Sequence, residues 1–192
     1  MYYVRMNNDD IERKLIKFHV ETRKEFPNYV VVLKTNSWFM RFLGALMYAV
    51  TFGHSNSFML MVTTIGTTVY VPKDWGKREP AARLVTLRHE RVHMRQSRTW
   101  GPLFTVAYLL LPLPILFAWC RTKWEREAYE ESMYARVELL GLKSIDNSTY
   151  RTHILSHFSG PSYFWAWILE SSNEKWYDGV VAKLKTTMSL EE

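Results

Sequence analysis

The stretch Leu87-Arg88-His89-Glu90-Arg91-Val92-His93-Met94-Arg95-Gln96 constrains the fold more than any other part of the chain. Inside it lies His89-Glu90-x-x-His93. Residues four apart on an α-helix sit one turn apart on one face, so a helical stretch lets both imidazoles bind one metal ion. Glu90 is angularly adjacent to His89, and its carboxylate can then reach a water on that ion. Two histidines for Zn²⁺ and a glutamate as general base form the donor pattern of a zinc hydrolase. No glycine or proline interrupts the stretch.

A catalytic zinc site also needs a third protein ligand and an open position. Downstream runs the acidic segment Trp124-Glu125-Arg126-Glu127-Ala128-Tyr129-Glu130-Glu131. Its Glu125-x-x-Ala128 resembles the Glu-x-x-Ala/Ser-Asp element of the gluzincins, the zincin clan that includes thermolysin and neprilysin. The resemblance implies that Glu125 is the zinc ligand and that Ala128 lets its helix lie close against the motif helix. The acid that follows in the clan is Tyr129 here, a departure at the residue that orients a zinc histidine. Glu127 is the alternative ligand, because helix phase is not readable from sequence. A third reading is a solvated acidic helix face, the usual fate of a charge run.

More of the chain resembles a family of small, largely uncharacterised bacterial and phage proteins regarded as metallopeptidases. The shared blocks are Thr63-Thr64-Ile65-Gly66-Thr67-Thr68-Val69-Tyr70-Val71-Pro72, then Thr86 to Gln96, then Glu125-x-Glu127-Ala128-Tyr129, then Gly160-Pro161-Ser162-Tyr163. The resemblance implies an α+β zincin-like fold: a small mixed sheet whose edge strand packs against the motif helix, followed by a helical C-terminal part. Thr67, Thr68, Val69 and Tyr70 belong to that expected edge, where an extended peptide adds as a further strand. The implied activity is peptide-bond hydrolysis with Zn²⁺ as cofactor, His89, His93 and Glu125 as ligands and Glu90 as base. Tyr129, His157 and Tyr163 are candidate oxyanion or second-shell groups. A non-catalytic role in an assembly, such as a phage virion, is the competing class.

Read in order, the remaining elements surround this core as one domain over residues 1–192. Asn8 or Asp9 is expected to cap a first helix that Pro27 stops. Tyr29-Val30-Val31-Val32-Leu33 has the β-branched composition of a buried strand. Asn36 or Ser37 then caps a helix over Trp38 to Val50, apolar nearly all round except for Arg41, and so expected to be buried or laid on a membrane. Phe58 to Thr64 and Thr67 to Pro72 suggest a hairpin about Gly66. Pro80 suits the first turn of the motif helix. A helix over Arg121 to Leu140 ends at Gly141, and another begins after Asp146 or Asn147. His153 and His157 repeat the spacing of four, but no acid stands between them, and ordinary helix histidines are the expectation. A helix or frayed tail closes the chain.

Residues 101–120 carry no charge and are long enough to be a transmembrane candidate. Three prolines and the zinc geometry oppose a single pass. A straight membrane helix would hold its ends about 30 Å apart, whereas Glu125 must meet His89 and His93 at one ion. This run is therefore expected to fold back, with contact to a membrane surface as its further role. The net charge of +6 is spread along the chain without a nucleic-acid-binding signature, so no nucleic-acid partner is expected. The single cysteine, Cys120, excludes an internal disulfide. The opening residues Met1 to Asp10 lack the apolar region of a signal peptide, from which a cytoplasmic location is expected.

Overall fold

Asn7 starts the first helix: its Oδ1 accepts the Asp10 amide at 2.8 Å. In the computed structural model, which describes residues 6–50, 57–101, 104, 116–159 and 170–190, α1 spans Asn8–Glu25. The cap therefore lies just ahead of the expected Asn8 or Asp9. Asp9 and Asp10 occupy the first turn and Arg23 and Lys24 the last, which suits the helix dipole at both ends. Ile11, Leu15 and Phe18 form the buried stripe.

Three short strands follow. They are β1 (Val30–Leu33), β2 (Thr63–Ile65) and β3 (Thr68–Val71), in the order β1-β3-β2. β3 pairs parallel to β1, with Val31 opposite Val69, and antiparallel to β2, with Thr64 opposite Val69. Gly66, at a φ of 60°, makes the β2–β3 turn that a residue with a Cβ would resist. Three expectations are corrected here. β3, and with it Thr67, Thr68, Val69 and Tyr70, is not the edge: it is hydrogen-bonded on both sides. Among the described residues the edges are β1 and β2. β1 is also only half-covered, since Val30 and Leu33 are exposed. The apolar run before β2 is shorter as strand than expected, because Ser57–Leu60 form a 3₁₀ turn.

Between β1 and that turn lies α2 (Trp38–Val50). Ser37 caps it, its Oγ accepting the Met40 amide at 3.3 Å. α3 (Pro80–Trp100) carries the histidine motif, starts with proline in its first turn and stops at Gly101, whose φ is 61°. α4 (Leu116–Leu140) carries the acidic segment and stops at Gly141. Asn147 Oδ1 accepts the Tyr150 amide at 2.8 Å and caps α5 (Ser148–Ser159). The last helix, α6 (Glu170–Ser189), is longer than the tail expected from its composition.

Two apolar cores fix these elements. The first joins Leu15 and Phe18 of α1, Val69 and Val71 of β3, and Leu84, Leu87 and Met94 of α3. It seats the motif helix on the sheet. The second joins Met133 and Val137 of α4, Ile154 and Phe158 of α5, and Tyr177 and Leu184 of α6. It holds α4 against the C-terminal helices. The two halves meet along α3 and α4, which run antiparallel: Gln96 reaches the Trp124 carbonyl at 3.0 Å, and Arg88 reaches Glu131 at 2.7 Å and Glu138 at 2.5 Å.

This antiparallel pairing means that the chain reverses between Gly101 and Leu116, as the ligand geometry required. Residues 102, 103 and 105–115 lie outside the described ones, and so does the membrane contact expected of them. No described helix is long and apolar enough to cross a membrane.

Candidate metal centre

The site lies where α3 and α4 face each other. His89 and His93 project from successive turns of α3, with ring centroids 4.8 Å apart. Their Nε2 atoms are 3.1 Å from one another. Glu125 comes up from α4 with no solvent exposure, its Oε2 3.5 Å from His89 Nε2 and its Oε1 3.6 Å from His93 Nε2. One ligand atom from each residue lies within 4.8 Å of the others, close enough to hold one metal ion. Among the described residues no other group of three such side chains does so.

The choice between the two candidate glutamates follows from helix phase. Glu125 points into the α3–α4 contact, and Ala128, one turn on, is fully buried there. A larger side chain at 128 would hold the helices apart. Glu127 is exposed, and its carboxylate accepts from Gln96 Nε2 at 2.9 Å. It braces the site from outside.

Each imidazole is oriented from behind. His93 Nδ1 lies 2.9 Å from Gln96 Oε1, and Gln96 donates to the Trp124 carbonyl and to Glu127. The Gln96 oxygen only accepts, so this contact places the His93 proton on Nδ1 and leaves Nε2 as a lone pair for a ligand. His89 Nδ1 lies 3.2 Å from Ser132 Oγ, which itself donates to the Ala128 carbonyl at 3.0 Å. Ser132 had no sequence signal of its own beyond its place two turns after Glu125. Phe104, at 6.2 Å from His93 between ring centroids, and Trp124, at 4.8 Å from Phe104, wall the His93 side with apolar surface.

The field at the site is negative. Burial alone would push the His89 imidazole down. Glu125, by hydrogen bond and charge, and Glu90 together outweigh this and hold it above its ordinary value of 6.5. A field that favours a proton on imidazole also favours a metal cation there.

Glu90 is buried beside His89, and its Oε2 accepts a 2.6 Å hydrogen bond from Thr64 Oγ1. Thr64 belongs to β2, so the strand found at the sheet edge in place of β3 is also the one that holds the Glu90 carboxylate. Behind β2 sits a second group that the sequence did not advertise. Lys34 is fully buried and donates to the Phe58 carbonyl at 2.6 Å and to Thr63 Oγ1 at 2.8 Å. Burial pushes this ammonium down to about 8, against a smaller opposing pull from Glu90.

Of the other predicted residues, Tyr129 is at the site: its ring meets His89 edge-on at 4.8 Å and stacks on His157 at 5.6 Å. His157 thus borders the centre through Tyr129. Burial, and next the neighbouring His153, push the His157 imidazole below its ordinary value, so it is neutral at pH 7. Tyr163 lies outside the described residues. No family model matches the chain, and neither does any curated protein or solved structure.

Proposed function

We propose that the chain is a zinc-dependent peptidase of zincin type. The observation that carries this reading is the meeting of Glu125 with His89 and His93, while Glu90 stands beside His89 on a hydrogen bond from β2. Two imidazole nitrogens and one carboxylate oxygen are a zinc donor set, and zinc bonds of about 2.0–2.1 Å in a tetrahedron set ligand atoms about 3.3 Å apart. The separations of 3.1, 3.5 and 3.6 Å bracket that value. Three protein ligands also match the count of a catalytic centre, where water takes the fourth place.

A zinc ion held there would polarise the scissile carbonyl and acidify the attacking water. Glu90 accepts a proton from that water as its oxygen bonds to the carbonyl carbon. It then returns the proton to the amide nitrogen as the C–N bond breaks. Thr64 keeps the carboxylate turned toward the site during both transfers. β2, antiparallel to β3 and free on one side among the described residues, would accept an extended peptide by strand addition. Among the described residues, the neutral His157 and the hydroxyl of Tyr129 border the site and can donate to a developing oxyanion.

The test uses zinc-loaded protein and a quenched-fluorescent random-peptide mixture. Glu90→Gln should retain zinc and lose cleavage by at least a hundredfold, since general-base catalysis contributes about 10²–10⁴. Undiminished cleavage by the zinc-replete variant would overturn the mechanism.

A further inference from the structure

α2 is turned the wrong way round for a helix in water. Its protein-facing side is narrow: Met40 is fully buried, and Gly44 lies against Met59, where an added Cβ would approach Sδ to 3.0 Å. The side away from the protein is apolar. Trp38, Phe42 and Leu46 follow one another at intervals of four and are 73%, 59% and 46% exposed. Phe39 widens this stripe, and Leu60, the last residue of the neighbouring 3₁₀ turn, and Met61 after it are exposed as well. Contiguous apolar surface of this kind marks a place where something else docks.

Charge and composition identify the occupant. No aspartate or glutamate occurs between Glu25 and Asp74, an acid-free stretch that contains all of α2 and the 3₁₀ turn after it. The cation on α2 is Arg41, which is exposed, and with Tyr48 it runs along one border of the apolar stripe. Aromatic and aliphatic side chains in the middle, with a guanidinium and a phenol at the rim, match the depth profile of a lipid interface. At 13 residues the helix is about 20 Å long, too short to span a bilayer but suited to lying in its surface. The chain's net charge of +6 adds attraction to anionic headgroups.

We propose that the exposed face of α2 docks on an anionic lipid bilayer surface, with Trp38, Phe42 and Leu46 inserted at the headgroup boundary and Arg41 among the phosphates. This rests on the surface of α2 and is independent of the peptidase reading.

Flotation of the full chain with vesicles tests it, using phosphatidylglycerol–phosphatidylcholine vesicles and phosphatidylcholine vesicles alone. The wild-type chain should float with the anionic vesicles, at least tenfold less with the neutral ones, and less as salt rises. Trp38→Ser/Phe42→Ser changes only exposed positions, so its circular dichroism and melting should match wild type while flotation falls at least tenfold. Arg41→Glu, a second variant, should weaken binding to the anionic vesicles selectively. A wild-type chain that stays unbound would overturn the proposal, as would concentration-dependent self-association that the double variant abolishes without any vesicle binding. Binding retained by a folded double variant would also overturn it, placing the lipid contact in residues 101–120 instead.

Discussion

Thr64 Oγ1 donates to Glu90 Oε2 at 2.6 Å, linking the edge strand of the sheet to the acid of the histidine motif. A hydrogen bond to a buried carboxylate is worth about 1.5–3 kcal/mol. If it orients the base during proton transfer, Thr64→Val should lower kcat about 10- to 100-fold, with KM and zinc content little changed. Thr64→Ser, which keeps the hydroxyl, should restore most of the rate. Equal loss in both variants would mean that Thr64 matters only as part of β2.

Gln96 and Ser132 turn the two histidines toward one point by holding Nδ1 of each ring. Such partners typically set metal affinity over a 10- to 100-fold range. Competition against a chromophoric chelator should therefore show Gln96→Ala binding zinc about 10- to 100-fold more weakly. Ser132→Ala should have the smaller effect, because its contact to His89 is longer at 3.2 Å against 2.9 Å for Gln96 to His93. Unchanged affinity in Gln96→Ala would remove the residue from the metal site.

Lys34 gives a prediction in pH. Its ammonium is fully buried and held down to about 8, against an ordinary value of 10.5. Below pH 8 the lysine is charged both folded and unfolded, and the burial cost is borne in full. Between about 8 and 10.5 the unfolded chain binds more protons than the folded one, so stability rises with pH in that window. Denaturant unfolding at a series of pH values should show this rise in the wild type relative to Lys34→Met. Parallel pH dependence of the two proteins would contradict it. Because Lys34 also holds the Phe58 carbonyl and Thr63, Lys34→Met should loosen β2 and reduce the effect of a further Thr64→Val change.

The parts of the site that the sequence reveals are those written in a single helix period. His89 and His93 share a face by spacing alone, and the packing of Ala128 accompanies the inward turn of Glu125. The edge strand differs from the expected one for a definite reason. β3 has a strand pattern, but its coverage comes from β1, through a parallel pairing of Val30 with Thr68 that no local pattern records. Long-range pairing thus moved the edge to β2 and made Thr64, rather than Thr67 to Tyr70, the strand residue beside Glu90. Lys34 was equally hidden, since a lone lysine after a strand reads as a surface residue until Phe58 and Thr63 close over it. For α2 the sequence shows a helix apolar nearly all round, to be buried or laid on a membrane, but not which side turns inward with Met40 and which stays exposed with Trp38, Phe42 and Leu46.

The central claim is that His89, His93 and Glu125 jointly hold a zinc ion. Elemental analysis of the purified chain after exhaustive dialysis tests it most directly, alongside His93→Ala and Glu125→Ala variants whose folding is checked by circular dichroism. About one zinc per chain is expected in the wild type, falling to a small fraction in both variants. A wild-type chain without bound metal after zinc loading, or folded variants that keep the wild-type zinc content, would contradict it.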